Sequence, residues 1–271
     1  MISNRIREKW ASGSPVLNGW LSVPNAFTAE VMADQGYDSL TVDIQHGLHD
    51  YASAVAAFQA MRASGVVPMA RVPWLDAGWI MKVLDAGAYG VICPMINNRA
   101  EAAELARHCR YPPRGERSFG PTRALYSAGS DYAEKANDEI IVFAMIETAD
   151  GVRNAAEICE TDGIDGIYIG PSDLTLGYTN GRLPAGFDRE ETEMIEVIKN
   201  ILAAAKVAGI RACMHCGSPD YAARAIGWGF DMATVSSEAR LMASAASASV
   251  GRFRQLTGGQ GRAEGDDKAG Y

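Results

Sequence analysis

Short apolar runs alternate with amphipathic helical patterns along nearly the whole 271-residue chain. Four segments, GYDSLTVD, GAYGVICP, GIDGIYIG and GFDMATVS, repeat one local plan: a glycine suited to ending a helix in the left-handed conformation, then a strand. Eight runs have the length and apolar character of strands covered on both faces. They are WLSV (20–23), SLTVDI (39–44), PMARV (68–72), GVICPM (90–95), IIVFAMIE (140–147), GIYIG (166–170), RACMHC (211–216) and DMATVS (231–236).

Eight such strands with helices between them predict an α/β fold, a (β/α)8 or TIM barrel, as a single domain over residues 1–256. The alternative, an open doubly wound sheet, would favour a G-x-G-x-x-G motif after the first strand, and none is there. Residues 110–139 interrupt the alternation with a long connection rich in Arg, Gly and Pro, and such connections are often functional. Residues 257–271 form a polar tail with too little apolar surface to hold itself in place.

Composition narrows the classes of partner. The net charge is −8 and no basic run is present, so we expect no nucleic-acid partner. The N-terminus, MISNRIREKW, has no apolar signal-peptide core, and no apolar run reaches the ~18 residues of a membrane span. The five cysteines are scattered, apart from a CxxC at Cys213 and Cys216 inside a strand-like run. We therefore expect reduced, buried, structural cysteines in a cytoplasmic protein.

Polar residues at the carboxyl ends of barrel strands are the default candidates for an active site. Glu147 ends the fifth predicted strand and Asp173 follows the sixth. Adjacent strands lie about 4.8 Å apart, so the two carboxylates would repel each other unless a cation lay between them. Oxygen ligands of this kind suit a hard divalent ion, Mg²⁺ or Mn²⁺. For each carboxylate, the competing interpretation is a helix N-cap.

The stretch TVDIQHGLHD (41–50) also resembles a metal site, because it concentrates His and Asp. Its position at the end of the second strand favours His46 as a general acid or base, the alternative being a satisfied polar residue. Asp50 is expected to cap the helix over 52–64. Arg71, after the third strand, suits an anionic substrate or a salt bridge. Asp85, at the end of an apolar helix, needs a partner, and a rim histidine is one option.

Six short sequence motifs, in their order along the chain, resemble those of a known protein family. They are VDIQHG, ARVP, LDAGAYGVICPMI, YPPRGERSFGPTRA, IETADGV and GIDGIYIGPSDL. From about residue 15 to 245, the chain resembles the HpcH/HpaI-type class II aldolases of 2-oxo acids, named for 4-hydroxy-2-oxoheptanedioate aldolase. Members of that family commonly form hexamers, as trimers of dimers that exchange the last barrel helix.

The resemblance implies roles for individual residues. Glu147 and Asp173 match the two metal-binding carboxylates of the family, with Co²⁺ or Zn²⁺ as alternatives to Mg²⁺ or Mn²⁺. His46 matches its acid/base histidine, and Asp85 matches the aspartate that pairs with it. The substrate-binding residues implied are Arg71, Trp20, Gly170, Ser172 and Asp173. There are two departures: Gln45 stands where the best-known members have Glu, and Met145 stands where they often have Gln.

The expected reaction is reversible, metal-dependent cleavage of a 4-hydroxy-2-oxo acid into an aldehyde and pyruvate, or a close analogue such as hydroxypyruvate. The resemblance implies a role in aromatic or sugar acid catabolism. Lys82 lies within the predicted helix after the third strand, which argues against a Schiff-base route. Three alternatives remain open: a CoA-thioester lyase, an oxaloacetate decarboxylase, and a non-catalytic barrel that keeps a relic site. A CoA ligand would require a basic strip, for which Arg114, Arg117 and Arg123 are the candidates.

Overall fold

Eight parallel strands form a closed barrel in the order β1 to β8, which confirms the predicted TIM barrel. The structure is a computed structural model and describes residues 1–258. The strands are β1 Val16–Leu21, β2 Ser39–Asp43, β3 Val67–Arg71, β4 Gly90–Cys93, β5 Ile141–Ile146, β6 Gly166–Ile169, β7 Arg211–Cys216 and β8 Met232–Val235. All eight predicted strands are present, and the largest shift in position is that of β1.

Thirteen helices are described, and most of them lie between strands on the outside of the barrel. Their bounds are α1 Arg5–Ala11, α2 Ala26–Ala33, α3 Tyr51–Ala60, α4 Ala77–Asp85, α5 Arg99–Cys109, α6 Thr122–Ala128, α7 Tyr132–Glu139, α8 Ala149–Arg153, α9 Ala155–Cys159, α10 Pro171–Tyr178, α11 Thr192–Ala208, α12 Pro219–Trp228 and α13 Glu238–Leu256. A 3-10 turn, Met61–Ala63, follows α3. None of the described helices combines the length and apolar character needed to cross a bilayer.

The four repeated glycines set the turn from helix into strand. Gly36, Gly87, Gly163 and Gly229 all have positive φ, between 87° and 111°. L-residues with a side chain rarely adopt this conformation, so glycine makes the turn at little steric cost. The repeat noticed in the sequence therefore marks the N-terminal end of the barrel, where each helix returns to a strand.

Inside the barrel, a polar layer lies beneath the strand ends. The Asn18 amide donates to Thr234 Oγ1 at 2.8 Å and accepts from Ser39 Oγ at 2.8 Å and from Thr41 Oγ1 at 3.1 Å. These side chains are buried and satisfy one another, as buried polar groups must. The layer gives the site above it a packed floor rather than a channel.

The long connection over residues 110–139 contains regular structure despite its content of Arg, Gly and Pro. It contains α6 and α7, and its Arg117 side chain is buried and forms an ion pair with Asp85 at 2.7 Å. The Arg117 guanidinium also lies over the Tyr111 and Tyr132 rings. Because α5 ends at the N-terminal end of the barrel, this connection starts at the end opposite the predicted site. Its arginines anchor it to the barrel.

The last helix, α13, packs little of its surface on the barrel. Glu238 is its only buried residue, whereas Leu241, Met242, Val250, Phe253 and Leu256 are between 40% and 68% exposed. Most of the predicted polar tail, residues 259–271, lies outside the described residues. The five cysteines are free and buried, as expected.

Candidate active site

A cavity opens at the carboxyl end of the strands and brings together side chains from seven of the eight strand ends. It is lined by Trp20, Ser22, Asp43, His46, Arg71, Met145, Glu147, Gly170, Ser172, Asp173, Phe187, His215, Ser236, Ser237 and Arg240. Every predicted site residue except Asp85 lines this cavity. Its lining, as formed by residues 1–258, includes no lysine.

Asp43, the last residue of β2, organises one side of the cavity. Its carboxylate accepts two hydrogen bonds from Arg71, from Nε at 2.9 Å and from Nη2 at 2.7 Å. It also accepts from Trp20 Nε1 at 3.3 Å and from the backbone N–H groups of Gln45 and His46 at 3.1 and 3.3 Å. One carboxylate thus orients the arginine, the tryptophan and the loop that carries His46.

The pKa of Asp43 reports this arrangement. Burial alone would raise it, but the charge and hydrogen bonds of Arg71 outweigh burial and hold the pKa below its ordinary value. Arg71 is also buried, and its guanidinium lies 4.8 Å from the Trp20 ring centroid. The sequence analysis predicted roles for Arg71 and Trp20, but it included Asp43 only as one of the acidic residues of the stretch over 41–50. The feature that could have identified Asp43 is its position as the last residue of β2.

Glu147 is a buried carboxylate that is only half satisfied. Its Oε1 accepts the backbone N–H of Met95 at 3.0 Å, whereas Oε2 is buried with no hydrogen-bond partner. Met95 makes this bond from a φ of 57°, an uncommon conformation for a non-glycine residue. Burial, together with the negative charge of Asp173, raises the pKa of Glu147 to about 7. The predicted alternative, an N-cap, is wrong because Thr148 caps α8.

Asp173 lies in the first turn of α10 and faces the same cavity. Gly170 is the N-cap position and Pro171 opens the helix, so Asp173 is not the cap either. A Cβ at Gly170 would collide with the Glu147 carboxylate and with Met145. Glycine is therefore required where the backbone approaches Glu147. The first N–H groups of α10 have no acceptor within the helix, so this end of the cavity suits an anion.

These residues fit a divalent cation. An unpartnered buried oxygen on Glu147, a second carboxylate that raises its pKa, and a glycine that keeps space beside it are features expected of a cation site. Two carboxylates and no thiolate favour a hard ion. Residues 1–258 contain no group of three or more His, Cys, Asp and Glu side chains placed to hold a metal.

His46 lies at the mouth of the cavity, in the exposed loop after β2. The predicted partner of this histidine, Asp85, is not at hand within the chain. Asp85 is the last residue of α4, so it lies at the N-terminal end of the barrel, where it pairs with Arg117. The positions of His46 and Asp85 along the sequence do not indicate this separation. A barrel helix carries the chain from the carboxyl ends of the strands back to their amino ends, so a residue at the end of such a helix lies far from the site.

Asp50 does cap α3, as predicted, and forms a capping box with Ser53. His49 is buried beside it, and burial lowers the pKa of its imidazole. Neither residue lines the cavity. The stretch over 41–50, which resembles a metal site in the sequence, therefore contains three residues with different roles. Asp43 holds Arg71 and Trp20 in place, His46 lines the cavity, and Asp50 caps α3.

Aromatic rings form the side of the cavity away from Glu147. His215 lies edge-on to Trp20 and beside Phe187, with both pairs of ring centroids 4.8 Å apart. Its Nδ1 lies 2.9 Å from the Tyr168 hydroxyl. Burial and the charge of Arg71 lower the pKa of His215 to about 3, so this imidazole is neutral at physiological pH. Phe187 belongs to no regular element, so no strand or helix pattern in the sequence marks it as a cavity residue.

The two departures from the resemblance both remove charge or polarity beside buried groups. The Gln45 side-chain oxygen is buried with no partner. A glutamate there would place a second negative charge near Asp43, which already compensates Arg71. Met145 lies against the Gly170 backbone beside Glu147. Gln45 and Met145 are both uncharged, so neither adds a negative charge beside Asp43 or Glu147.

A TIM barrel with two acidic residues, a buried arginine and a histidine at the carboxyl ends of its strands has the arrangement of an enzyme that acts on a small anionic molecule. The protein-family model "HpcH/HpaI aldolase/citrate lyase" matches residues 18–245. The chain is 39% identical to a hydroxypyruvate/pyruvate aldolase of Rhizorhabdus wittichii over 253 residues, which is 93% of this chain and 100% of that protein.

It is also 30% identical to a 4-hydroxy-2-oxo-heptane-1,7-dioate aldolase of Salmonella dublin, over 96% of this chain and 99% of that protein. The solved structure of an HpcH/HpaI aldolase/citrate lyase family protein from Burkholderia cenocepacia superposes with a TM-score of 0.85 at 28% identity, covering 93% of this chain and all of that one. The chain belongs to the HpcH/HpaI aldolase/citrate lyase family, and it is a carbon–carbon lyase.

Proposed function

We propose that the protein is a metal-dependent aldolase that reversibly cleaves a 4-hydroxy-2-oxo acid into an aldehyde and pyruvate, or its analogue hydroxypyruvate. The observation that carries the proposal is the half-satisfied Glu147 carboxylate, with its raised pKa, beside Asp173 and facing the same cavity as Arg71. The names of the relatives from Rhizorhabdus wittichii and Salmonella dublin support a 2-oxo acid as the substrate.

Glu147 and Asp173 would hold a divalent ion, Mg²⁺ or Mn²⁺ in our proposal. When bound, the ion supplies a Lewis acid that favours negative charge on the oxygens of a 2-oxo acid. The first turn of α10, with Gly170 and Ser172 in the lining, supplies backbone N–H groups for the substrate carboxylate. These groups together fix the 2-oxo acid at the β5–β6 side of the cavity.

Arg71 would stabilise the charge that develops during cleavage. Asp43 holds its guanidinium by two hydrogen bonds, and Trp20 covers it, so the group needs little reorganisation when the charge appears. As the bond between C3 and C4 breaks, its electron pair passes to C3 and the 2-oxo group becomes an enolate. Arg71 offers this oxyanion a cation that remains protonated throughout.

His46 would move the proton. It takes the proton from the 4-hydroxyl group, and the carbon that carried this hydroxyl becomes the aldehyde carbon. The enolate is then protonated at C3 to give pyruvate. Within one chain Asp85 cannot assist His46, because the two residues lie at opposite ends of the barrel. A pairing between them, as the resemblance implies, would require a second copy of the chain.

The three arginines that could have formed a basic strip for a CoA thioester are each held by another group of the chain. Arg117 is fully buried against Asp85, Arg114 pairs with Asp138, and Arg123 donates to the Ala86 carbonyl. Oxaloacetate decarboxylation would pass through the same enolate as aldol cleavage. The geometry of the site is therefore compatible with both reactions, and an experiment is needed to distinguish them.

Exchange of the pyruvate methyl protons in D₂O tests the shared half-reaction without knowledge of the aldehyde. With Mg²⁺ or Mn²⁺, we expect the protein to remove the methyl signal from the proton NMR spectrum, and EDTA to stop the exchange. Glu147→Gln should abolish exchange by removing a ligand, whereas Glu196→Gln, an exposed residue of α11, should leave it unchanged. Full exchange in EDTA, or none with either metal, would contradict the proposal.

A second measurement separates aldolase from decarboxylase. Pyruvate consumption is followed after an aldehyde such as glycolaldehyde is added, and oxaloacetate loss is followed in parallel. We expect condensation with the aldehyde. Decarboxylation of oxaloacetate without any condensation would replace aldol cleavage with the alternative reaction.

A further inference from the structure

A second cavity lies at the N-terminal end of the barrel, where β3 and β4 begin. Its volume is about 170 Å³, and the buried side chains of Phe58, Met61, Val67 and Tyr89 give it an apolar floor. A dry apolar cavity of about 150 Å³ is large enough to hold benzene, so this one has room for a body of one ring. Because β3 runs from this cavity to Arg71, the cavity and the candidate active site lie at opposite ends of the same strand.

Three arginines line this cavity, and each donates to a backbone carbonyl group rather than to a carboxylate. The pairs are Arg5 with Gly65 and Arg62 with Tyr126, both at 3.0 Å, and Arg123 with Ala86. Within residues 1–258 none of the three forms an ion pair, whereas Arg7 and Arg110, at the same end of the barrel, both pair with Asp165 at 2.7 Å. Three positive charges are therefore left without a carboxylate, in a chain whose net charge is −8.

Two of these arginines repel each other. Arg123 is half-buried, and burial together with the charge of Arg62 lowers the pKa of its guanidinium. A carbonyl group offers a dipole but no net negative charge, so the hydrogen bonds to the backbone do not remove the repulsion. An anion bound by both arginines would remove it, and hydrogen bonds from a guanidinium to an anion are roughly twice as strong as those between neutral groups.

Two glycines leave room for the arginines. Gly65 and Gly87 both have positive φ, 76° and 108°. A Cβ at Gly65 would lie 2.7 Å from Arg5 Nη1, and a Cβ at Gly87 would lie 2.5 Å from Arg123 Nη1. The missing side chains therefore allow two guanidinium groups to lie directly against the main chain at this cavity.

We propose that this cavity binds an organic anion with an apolar body of about one ring and a carboxylate or phosphate head. The body would lie on Phe58 and Met61, and the head would accept hydrogen bonds from Arg62 and Arg123. Arginine suits both kinds of head, because its planar guanidinium can donate two parallel hydrogen bonds to either. No described residue lines both this cavity and the candidate active site, so the anion would bind without displacing a 2-oxo acid. The inference does not depend on the aldolase reaction.

Saturation-transfer difference NMR tests the site with ligands that separate the ring from the charge. Benzoate and phenyl phosphate carry both, benzyl alcohol carries only the ring, and acetate and inorganic phosphate carry only the charge. We expect the better of the two ring-bearing anions to bind at least about 10-fold more tightly than benzyl alcohol, because it gains charge-assisted hydrogen bonds. Acetate and inorganic phosphate should also bind more weakly than their ring-bearing counterparts. Whichever of benzoate and phenyl phosphate binds more tightly identifies the preferred head.

Substitutions locate the binding. Arg62→Gln and Arg123→Gln should each weaken binding of the preferred anion about 10-fold. Arg62 is exposed, so its substitution tests the site separately from any effect of the half-buried Arg123 on folding. Arg252→Gln is the control, because Arg252 is an exposed arginine of α13 that lines neither cavity, and it should retain the wild-type affinity. Excess pyruvate with Mg²⁺ should leave the affinity unchanged.

Four results would overturn the inference. They are benzyl alcohol binding as tightly as both ring-bearing anions, the ringless anions binding as tightly as their counterparts, full affinity in both Arg62→Gln and Arg123→Gln, and displacement of the ligand by pyruvate. Failure of pyruvate exchange would instead overturn the aldolase proposal and has no bearing on this cavity, so the two failures are distinguishable.

Discussion

At the residue scale, the site is built around a carboxylate whose charge the protein alone does not compensate. Burial and Asp173 raise the pKa of Glu147 to about 7, against an ordinary value of 4.5. In metal-free protein, the folded state therefore holds this proton more tightly than the unfolded state does. The contribution of Glu147 to the free energy of unfolding becomes less favourable as pH rises from about 4.5 to 7 and stays unfavourable above it.

This linkage predicts that Glu147→Gln stabilises the metal-free protein at pH 8 and much less at pH 5. The gain at pH 8 should be on the order of 1–3 kcal/mol, since a pKa shift of one unit corresponds to about 1.4 kcal/mol. Urea unfolding in EDTA at both pH values measures it, with Glu196→Gln as the exposed control. Added Mn²⁺ should stabilise the wild type but not Glu147→Gln. A variant less stable than wild type at pH 8 would contradict this account.

At the element scale, the pair formed by Asp43 and Arg71 joins the carboxyl ends of two neighbouring strands. The two residues are register partners in β2 and β3, and both side chains are buried. Their separation along the sequence gave no sign of the pairing. It follows from the closure of the sheet, which sets the two strand ends side by side.

Breaking this pair should cost far more than breaking an exposed one. Asp43→Asn leaves the Arg71 charge buried without compensation, for which we expect a loss of about 3–5 kcal/mol in the free energy of unfolding. Glu160→Gln, which removes the exposed partner of Arg99, should cost at most about 1 kcal/mol. Urea unfolding of both variants gives the comparison. Equal losses would show that burial does not govern the Asp43 pair.

At the scale of the whole molecule, α13 presents apolar side chains that a lone chain leaves in water. Met242, Phe253 and Leu256 are each more than 60% exposed. Apolar faces of this size on one helix are typical of contacts between chains. We propose that a second copy of the chain covers this face, in keeping with the hexamer that the family resemblance implies.

The substitutions Phe253→Ser and Leu256→Ser test the oligomer together in one variant. Size-exclusion chromatography with light scattering should show an oligomer for the wild type and a smaller species for the double variant. Val207→Ser removes an exposed apolar side chain from α11 and should leave the mass unchanged. A monomeric wild type would contradict the proposal.

By itself, the sequence determined the succession of strands and helices, the glycine turns at the base of the barrel, and seven of the fifteen residues that line the cavity. The elements and the charged residues at the strand ends follow from local patterns, because a strand buried on both faces and a residue at its end are visible within a few positions, whereas Trp20, Gly170 and Ser172 were indicated only by the family resemblance. Only the tertiary structure decided that Asp43 holds several side chains of the site in place, that Asp85 pairs with Arg117, and that Phe187 and Arg240 line the same cavity as Arg71. Such contacts join segments far apart in the chain, and their partners depend on how the barrel closes.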